Sequence, residues 1–165
     1  MPERINPGGP RRLPRRKRIR LARELYADSG EVFLITVCTA QRRHLFDQPD
    51  AGRLVFDALV GGKLFTEAQC HAACLMPDHL HLLVSPKEAN LIALLNGWKS
   101  YTTSLLHRMG VTGPIWQRSF YDHALRGEES ANEAAQYVVE NPVRKGLVTD
   151  WTTYPYVWAH WVHGT

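Results

Sequence analysis

The order in which strand and helix patterns follow one another constrains the fold of this chain more than any other feature. β-Branched and aromatic residues predict a strand at Glu31–Thr39. Two short apolar runs follow at Cys70–Met76 and His79–Ser85, separated only by Pro77 and Asp78. Because these two residues are typical of a kink or a tight turn, the runs form either one bent strand or two strands.

Helical spacing of apolar residues alternates with these strands. Leucines recur along one side of Pro49–Lys63 and of Asn90–Met109, and glycines stand at or just after the end of each segment. A further strand is predicted at Ile115–Arg126 and a further helix at Gly127–Asn141. Pro142 is expected to close that helix, because the residue before a proline is pushed out of the helical region.

The resulting order, β-α-β-β-α-β-α, predicts an α+β fold. It is close to the ferredoxin-like βαββαβ plan with an additional C-terminal helix. The chain has 165 residues, 44% of them apolar, which is enough for one domain with a compact core. Ser130 is the expected N-cap of the last helix, with Glu133 three residues on. The aromatic residues between 151 and 161 are expected to pack over the core.

Composition favours a cytoplasmic protein that does not contact a membrane. No apolar run is long enough to span a bilayer, and no apolar stretch follows the first arginines as a secretory signal would require. Cys38, Cys70 and Cys74 make an odd count without CxxC spacing, which is typical of reduced thiols.

Positive charge is concentrated at the N-terminus. Residues 1–23 contain nine Lys or Arg residues against Glu3 alone, a charge of +8, so the other 142 residues carry −4 and the chain +4 overall. The segment is predicted to be a disordered arm, and residues 24–165 a single domain. A phosphate backbone is the expected partner of such an arm; the alternative is a solubilising tail. Its residues expected to contact nucleic acid are Arg11, Arg12, Arg15, Arg16, Lys17 and Arg18.

Two histidines stand two residues apart in a predicted strand. The period of two in a strand puts His79 and His81 on one face and Leu80 on the other, facing the core. Two imidazoles directed from one rigid strand can hold a metal ion, although histidines at this spacing also fill half-polar strand faces. Asp78 precedes the pair and could orient one histidine from behind.

A tyrosine on the last predicted helix is a candidate nucleophile. Asn141 lies four residues after Tyr137 and therefore shares its helix face, and Glu140 lies close to that face. One helix can thus present a nucleophile and a third metal ligand together. Tyrosine is a poor nucleophile while protonated, and its attack on phosphate becomes feasible when a cation polarises the scissile phosphate and stabilises the charge that develops there. The alternative is a core tyrosine beside Val138.

Three blocks of sequence, in order, resemble a known family. They are MPDHLHLLV, IWQRSFYDHALR and YVVENPVRKGLV, within residues 31–148. Together they resemble the HUH single-tyrosine transposases, and more closely the REP-associated tyrosine transposases, which are domesticated relatives of insertion-sequence enzymes.

The resemblance implies a central antiparallel sheet with helices on one face and a C-terminal helix that carries the tyrosine. It implies that His79 and His81 are metal ligands, that Tyr137 is the nucleophile and that Asn141 is the third ligand, with Glu140 as the alternative. The cofactor is then Mg²⁺ or Mn²⁺. The expected reaction is cleavage and rejoining of single-stranded DNA hairpins at repeat or insertion-sequence ends through a 5′-phosphotyrosine. Such a protein is a monomer or homodimer, associated with the nucleoid when bound to DNA.

Four further residues are weaker candidates. His123 belongs to the second block and could lie behind the site, as could Asp78. Lys99 and Arg126 are candidate phosphate contacts, although solvated surface charge explains them nearly as well.

A second function of another class remains open. A non-catalytic module that binds single-stranded nucleic acid could use the same fold and stack bases on aromatic side chains of its sheet. Trp116 and Phe120 share one strand parity and would serve there, although core packing is the better interpretation of both.

Overall fold

The computed structural model describes residues 31–87, 90–126 and 130–163. The predicted basic arm, with Arg11, Arg12, Arg15, Arg16, Lys17 and Arg18, lies outside the described residues. The strands are β1 (Phe33–Cys38), β2 (Ala68–Met76), β3 (His79–Pro86), β4 (Tyr121–Ala124) and β5 (Val157–Ala159). The helices are α1 (Pro49–Val60), α2 (Lys63–Glu67), α3 (Leu91–Arg108), α4 (Ala131–Val139), α5 (Asn141–Arg144) and α6 (His160–His163).

A five-stranded antiparallel sheet organises the fold. Its strand order is β4-β1-β3-β2-β5, with β3 at the centre between β1 and β2. The predicted α+β class and its central antiparallel sheet are confirmed. Pro77 and Asp78 form a turn between two paired strands, so the two apolar runs are β2 and β3 rather than one bent strand.

The two faces of the sheet are covered by different helices. Leu80, Leu82 and Val84 of β3 are fully buried in one core, which α1 and α3 close with Leu59 and Leu95. The opposite face forms a second core under α4. Its residues include Leu34, Cys74, Leu83, Ala135 and Val138. Because successive strand residues point to opposite faces, the histidine face of β3 is the one that meets α4.

Only part of the strand predicted at Ile115–Arg126 forms. Paired strand is confined to β4, and Trp116 makes an isolated bridge to Thr39. The Trp116 ring is buried between Phe46 and Trp98. Its indole N–H donates to Thr102 Oγ1 at 3.0 Å. The segment before β4 is therefore anchored by the buried Trp116 side chain, although the sequence predicted a continuous paired strand there.

Pro142 does not end the helical path as predicted. α4 stops at Val139, and α5 starts at once with Asn141, so Pro142 lies in the first turn of a new helix. Proline is tolerated there because its missing N–H would have no partner in that turn. The predicted cap at Ser130 is confirmed, since its side chain accepts a hydrogen bond from the Glu133 N–H.

The aromatic tail packs over the core in part. Tyr156 is buried and donates its hydroxyl to the Pro49 carbonyl, while Trp158 packs edge-on against Phe65. Trp161 is exposed. The tail also supplies β5, a strand that the sequence analysis did not predict. Within the described ranges, no helix combines the length and apolar character needed to cross a membrane.

Candidate active site

His79 and His81 point at one another from the same face of β3. Their Nε2 atoms are 3.1 Å apart, and their rings lie nearly perpendicular with centroids 4.6 Å apart. The pleat sets this arrangement, because residues two apart in a strand project to the same side.

The outer nitrogen of each imidazole has an oxygen partner. Asp78 Oδ1 is 2.6 Å from His79 Nδ1, and Thr36 Oγ1 is 3.0 Å from His81 Nδ1. Thr36 is the residue of β1 directly opposite His81. The Asp78 carboxylate can only accept from His79 Nδ1–H, which favours the tautomer in which His79 Nε2 carries the lone pair. The two Nε2 atoms lie within hydrogen-bonding distance of each other, and both can also face a cation placed beside them.

The spacing of the two nitrogens fits a divalent cation. Two ligands about 2.1 Å from an octahedral ion and at right angles to each other are about 3.0 Å apart. The observed 3.1 Å between the Nε2 atoms matches this value. In the described part of the chain, no three His, Cys, Asp or Glu side chains form a metal-binding cluster.

Arg42 holds the carboxylate behind His79. Its Nε lies 2.8 Å from Asp78 Oδ2, and a terminal N–H donates to Cys38 Sγ at 2.7 Å. The turn that brings it there is strained, because Gln41 and Arg42 both have positive φ, 55° and 56°. Such conformations of non-glycine residues cost about 1–3 kcal/mol each.

Burial, hydrogen bonds and neighbouring charges lower the pKa values of both Asp78 and His79. Burial alone would raise the pKa of Asp78, but its hydrogen bond to His79 and the charges of His79 and Arg42 outweigh it and lower that pKa. Burial lowers the pKa of His79, against the raising effect of Asp78. A neutral imidazole is the form that binds metal.

Tyr137 on α4 lies over the histidine face. Its side chain is 37% exposed, and its ring centroid is 6.2 Å from that of His81. Asn141 is buried, and its amide nitrogen donates to the Tyr137 carbonyl at 3.1 Å and to the Val138 carbonyl at 3.3 Å. The amide oxygen of Asn141 takes no part in these two bonds, so it can serve as an acceptor or a ligand.

Glu140, the alternative third ligand, is not brought together with the histidines. Its carboxylate accepts a hydrogen bond from Gln136 and lies 3.7 Å from the Arg144 guanidinium.

Lys99 is not the surface phosphate contact that the sequence suggested. Its side chain is only 9% exposed in the structure. The ammonium donates to the carbonyls of Gln117 (2.6 Å) and Arg118 (3.2 Å), and burial lowers its pKa. Lys99 therefore ties α3 to the irregular segment before β4.

Lys99→Met tests this correction. The substitution keeps an unbranched side chain but removes the ammonium group that donates hydrogen bonds to two backbone carbonyls. The free energy of unfolding should therefore fall by about 1–3 kcal/mol. Chemical denaturation measures that change, and hairpin affinity should stay within about threefold of the wild type. Weaker DNA binding at unchanged stability would restore the phosphate-contact interpretation.

The remaining predicted residues lie along β4. His123 is exposed and pairs with Leu34, which places it on the histidine face of the sheet. It is not aligned with His81 across the strands, because His81 pairs with Thr36. Tyr121 occupies the row of Thr36 and His81, two strands from His81 and thus roughly 10 Å away. Arg126 is exposed just beyond the end of β4.

Comparison with protein families identifies the family to which this chain belongs. Residues 32–141 match the family described as "Transposase IS200 like", a span that contains His79, His81, Tyr137 and Asn141. The chain belongs to the IS200-like transposase family.

Individual relatives of this IS200-like chain agree with that assignment. It is 25% identical over 92 residues to the REP-associated tyrosine transposase of Escherichia coli K12, covering 56% of this chain and 54% of the relative. It is 29% identical over 102 residues to a Haemophilus influenzae protein assigned to the same REP-associated group, covering 54% and 57%. The alignments thus span about half the length of these curated relatives.

A solved structure shares the fold. A REP-associated tyrosine transposase bound to a REP hairpin superposes with a TM-score of 0.58 at 21% identity, covering 80% of this chain and 78% of the other.

Three residues near the site of this IS200-like chain were not predicted from its sequence. Thr36 and Arg42 reach the histidine group only through strand pairing and a turn, for which no local pattern exists. Arg144 carried a signal: it follows Tyr137 by seven residues, two helical turns, on one face. Arg144 was not predicted because the helix was expected to end before Pro142.

Proposed function

We propose that this chain cleaves and rejoins single-stranded DNA through a covalent bond to Tyr137, with Mg²⁺ or Mn²⁺ held by His79, His81 and Asn141. One observation carries the proposal: an accessible tyrosine ring lies 6.2 Å from one of two imidazoles whose Nε2 atoms converge to 3.1 Å. Membership of the IS200-like transposase family supports it.

Tyr137 is the nucleophile of the proposed reaction. The Tyr137 hydroxyl oxygen attacks phosphorus and loses its proton, the bond from phosphorus to the 3′ oxygen breaks, and the departing 3′ oxygen takes up a proton. A 5′-phosphotyrosine remains, and attack by the 3′-hydroxyl of another strand reverses the step without ATP. A bound divalent cation supplies stabilisation of the charge that develops on the scissile phosphate.

His79, His81 and Asn141 would hold that cation. Asp78 and Thr36 engage the Nδ1 side of the two rings, which leaves both Nε2 atoms directed toward the same point. A set of two imidazoles and an amide oxygen suits Mg²⁺ or Mn²⁺, and the imidazoles tilt the preference toward Mn²⁺. Asn141 is preferred over Glu140 as third ligand because Gln136 and Arg144 already engage the Glu140 carboxylate.

Hairpin DNA is the proposed substrate. A structural neighbour was solved bound to a REP hairpin, which supports hairpin DNA from the flanks of the chain's own gene as the first test. Incubation of the protein with such a labelled oligonucleotide and Mn²⁺ should give a band of protein–DNA adduct on a denaturing gel. If the wild-type protein binds the hairpin but forms no adduct under any metal condition, the proposed reaction is wrong.

The alternative of a non-catalytic nucleic-acid-binding module loses its main support. Trp116 was one of its two stacking residues, and it is buried between other aromatic rings. Phe120, the other, is partly buried against the same core.

Residues 1–20 are predicted to strengthen DNA binding by contacting phosphates. Deleting them should weaken hairpin affinity and flatten its dependence on salt, because each neutralised phosphate releases counterions and adds to the slope. The measurement is the slope of log affinity against log salt for the full chain and the deletion variant. An unchanged slope would mean that the arm makes no contact with DNA.

A further inference from the structure

Arg144 makes three contacts that converge on the region around Tyr137. Its guanidinium carbon lies 4.0 Å above the centre of the Tyr137 ring. A terminal N–H of the same group donates to the Tyr137 carbonyl, and another nitrogen lies 3.7 Å from the Glu140 carboxylate. The tyrosine ring is therefore flanked by a cation on one side and by His81 on another.

The junction between α4 and α5 creates this contact. α5 starts immediately after the Glu140 cap, and the Arg144 N–H donates to the Glu140 carbonyl at 3.0 Å. The chain thus continues in helical geometry past Pro142, which brings Arg144 back to the face that carries Tyr137.

Stability alone is a weak reason for this arrangement. The Arg144 side chain is 38% exposed, and exposed cation–π contacts and ion pairs contribute little to the free energy of unfolding. A guanidinium carries five N–H donors in a rigid fork suited to phosphate oxygens. The contacts with the Tyr137 carbonyl and Glu140 involve only part of that fork.

We infer that Arg144 contacts the scissile phosphate during attack by Tyr137 and remains bound to the phosphotyrosine afterwards. This rests on the proposed function, because it requires the Tyr137 oxygen to form the bond to phosphorus. A phosphate attacked by that oxygen comes within hydrogen-bonding reach of the guanidinium above the ring. Arg144 stays protonated throughout: it donates hydrogen bonds to the non-bridging oxygens while the bond to the 3′ oxygen breaks.

Two substitutions of similar length separate this role from simple packing. Lysine and methionine can both lie over the tyrosine ring, but only lysine keeps the positive charge. In single-turnover assays at saturating hairpin DNA, Arg144→Met should slow adduct formation about 100-fold, the size of loss typical when one transition-state donor is removed. Arg144→Lys should lose clearly less, about tenfold, and both should bind the hairpin within threefold of the wild type.

Arg108→Met is the matched control, because it removes an exposed arginine at the end of α3 and should react at the wild-type rate. Equal rates for Arg144→Met and the wild type, or equal losses for the methionine and lysine variants, would overturn the role of Arg144 while leaving the reaction in place. An absence of adduct from the wild-type protein would overturn the proposed function itself, and the two failures are therefore distinguishable.

Discussion

Tyr137→Phe is expected to abolish the covalent protein–DNA adduct while hairpin affinity stays near that of the wild type. The substitution removes one oxygen and keeps the ring, so the contacts of the ring with His81 and Arg144 and the packing of α4 should survive. Loss of the nucleophile leaves no route to the adduct, so the band on a denaturing gel should disappear. A binding titration with the same labelled hairpin checks the affinity.

Tyr101→Phe is the control for this substitution. Tyr101 lies on α3, which covers the opposite face of the sheet, and it is 58% exposed. Its variant should form adduct at the wild-type rate.

Tyr121, which stands two residues before His123 in the second of the three sequence blocks, is the alternative candidate nucleophile. It shares a sheet row with Thr36 and His81 and is exposed. An adduct that persists in Tyr137→Phe and vanishes in Tyr121→Phe would show that the reaction class is right and the assigned tyrosine is wrong.

His79→Ala and His81→Ala should each reduce cleavage by at least about 100-fold, with the fold preserved. Changes to residues behind a metal ligand already cost 10–100-fold in affinity or activity, and a lost ligand should cost no less. Each side chain belongs to the polar part of its sheet face, while Leu80 and Leu82 maintain the core beneath. Direct titration of Mn²⁺ onto the protein without DNA should show weakened binding, and circular dichroism should show an unchanged fold.

Chelation gives the complementary result. Excess chelator should abolish cleavage, and added Mg²⁺ or Mn²⁺ should restore it. Metal binding should weaken as the pH falls, because protons compete for Nε2; the lowered pKa of His79 extends binding to lower pH than an ordinary histidine would allow.

His107→Ala provides the matched control for the histidine variants. This histidine is exposed at the end of α3 and contacts the Gly113 carbonyl. It should bind Mn²⁺ and cleave as the wild type does. Full cleavage in chelator, or unchanged Mn²⁺ affinity in both site variants, would rule out the metal role.

Local periodicity was sufficient for the parts of the site that depend on one strand or on one continuous helical path. The alternation in His79–Ser85 places both histidines on one face and the leucines in the core, because a pleated strand repeats every two residues. Tyr137 and Asn141 come together because they are one helical turn apart. The order of the elements likewise sufficed for the α+β class and the central antiparallel sheet.

The tertiary structure decided every contact that crosses between elements. Thr36 reaches His81 only because β1 pairs with β3 in one register, and Arg42 reaches Asp78 through a strained turn. The sequence suggested that Lys99 is a surface charge, but the packing of α3 against the segment before β4 buries it. Arg144 contacts Tyr137 only because a helical turn follows Pro142. Side-chain spacing determines what shares a face within one helix or strand, whereas register and docking depend on residues far apart in the chain, which no local pattern encodes.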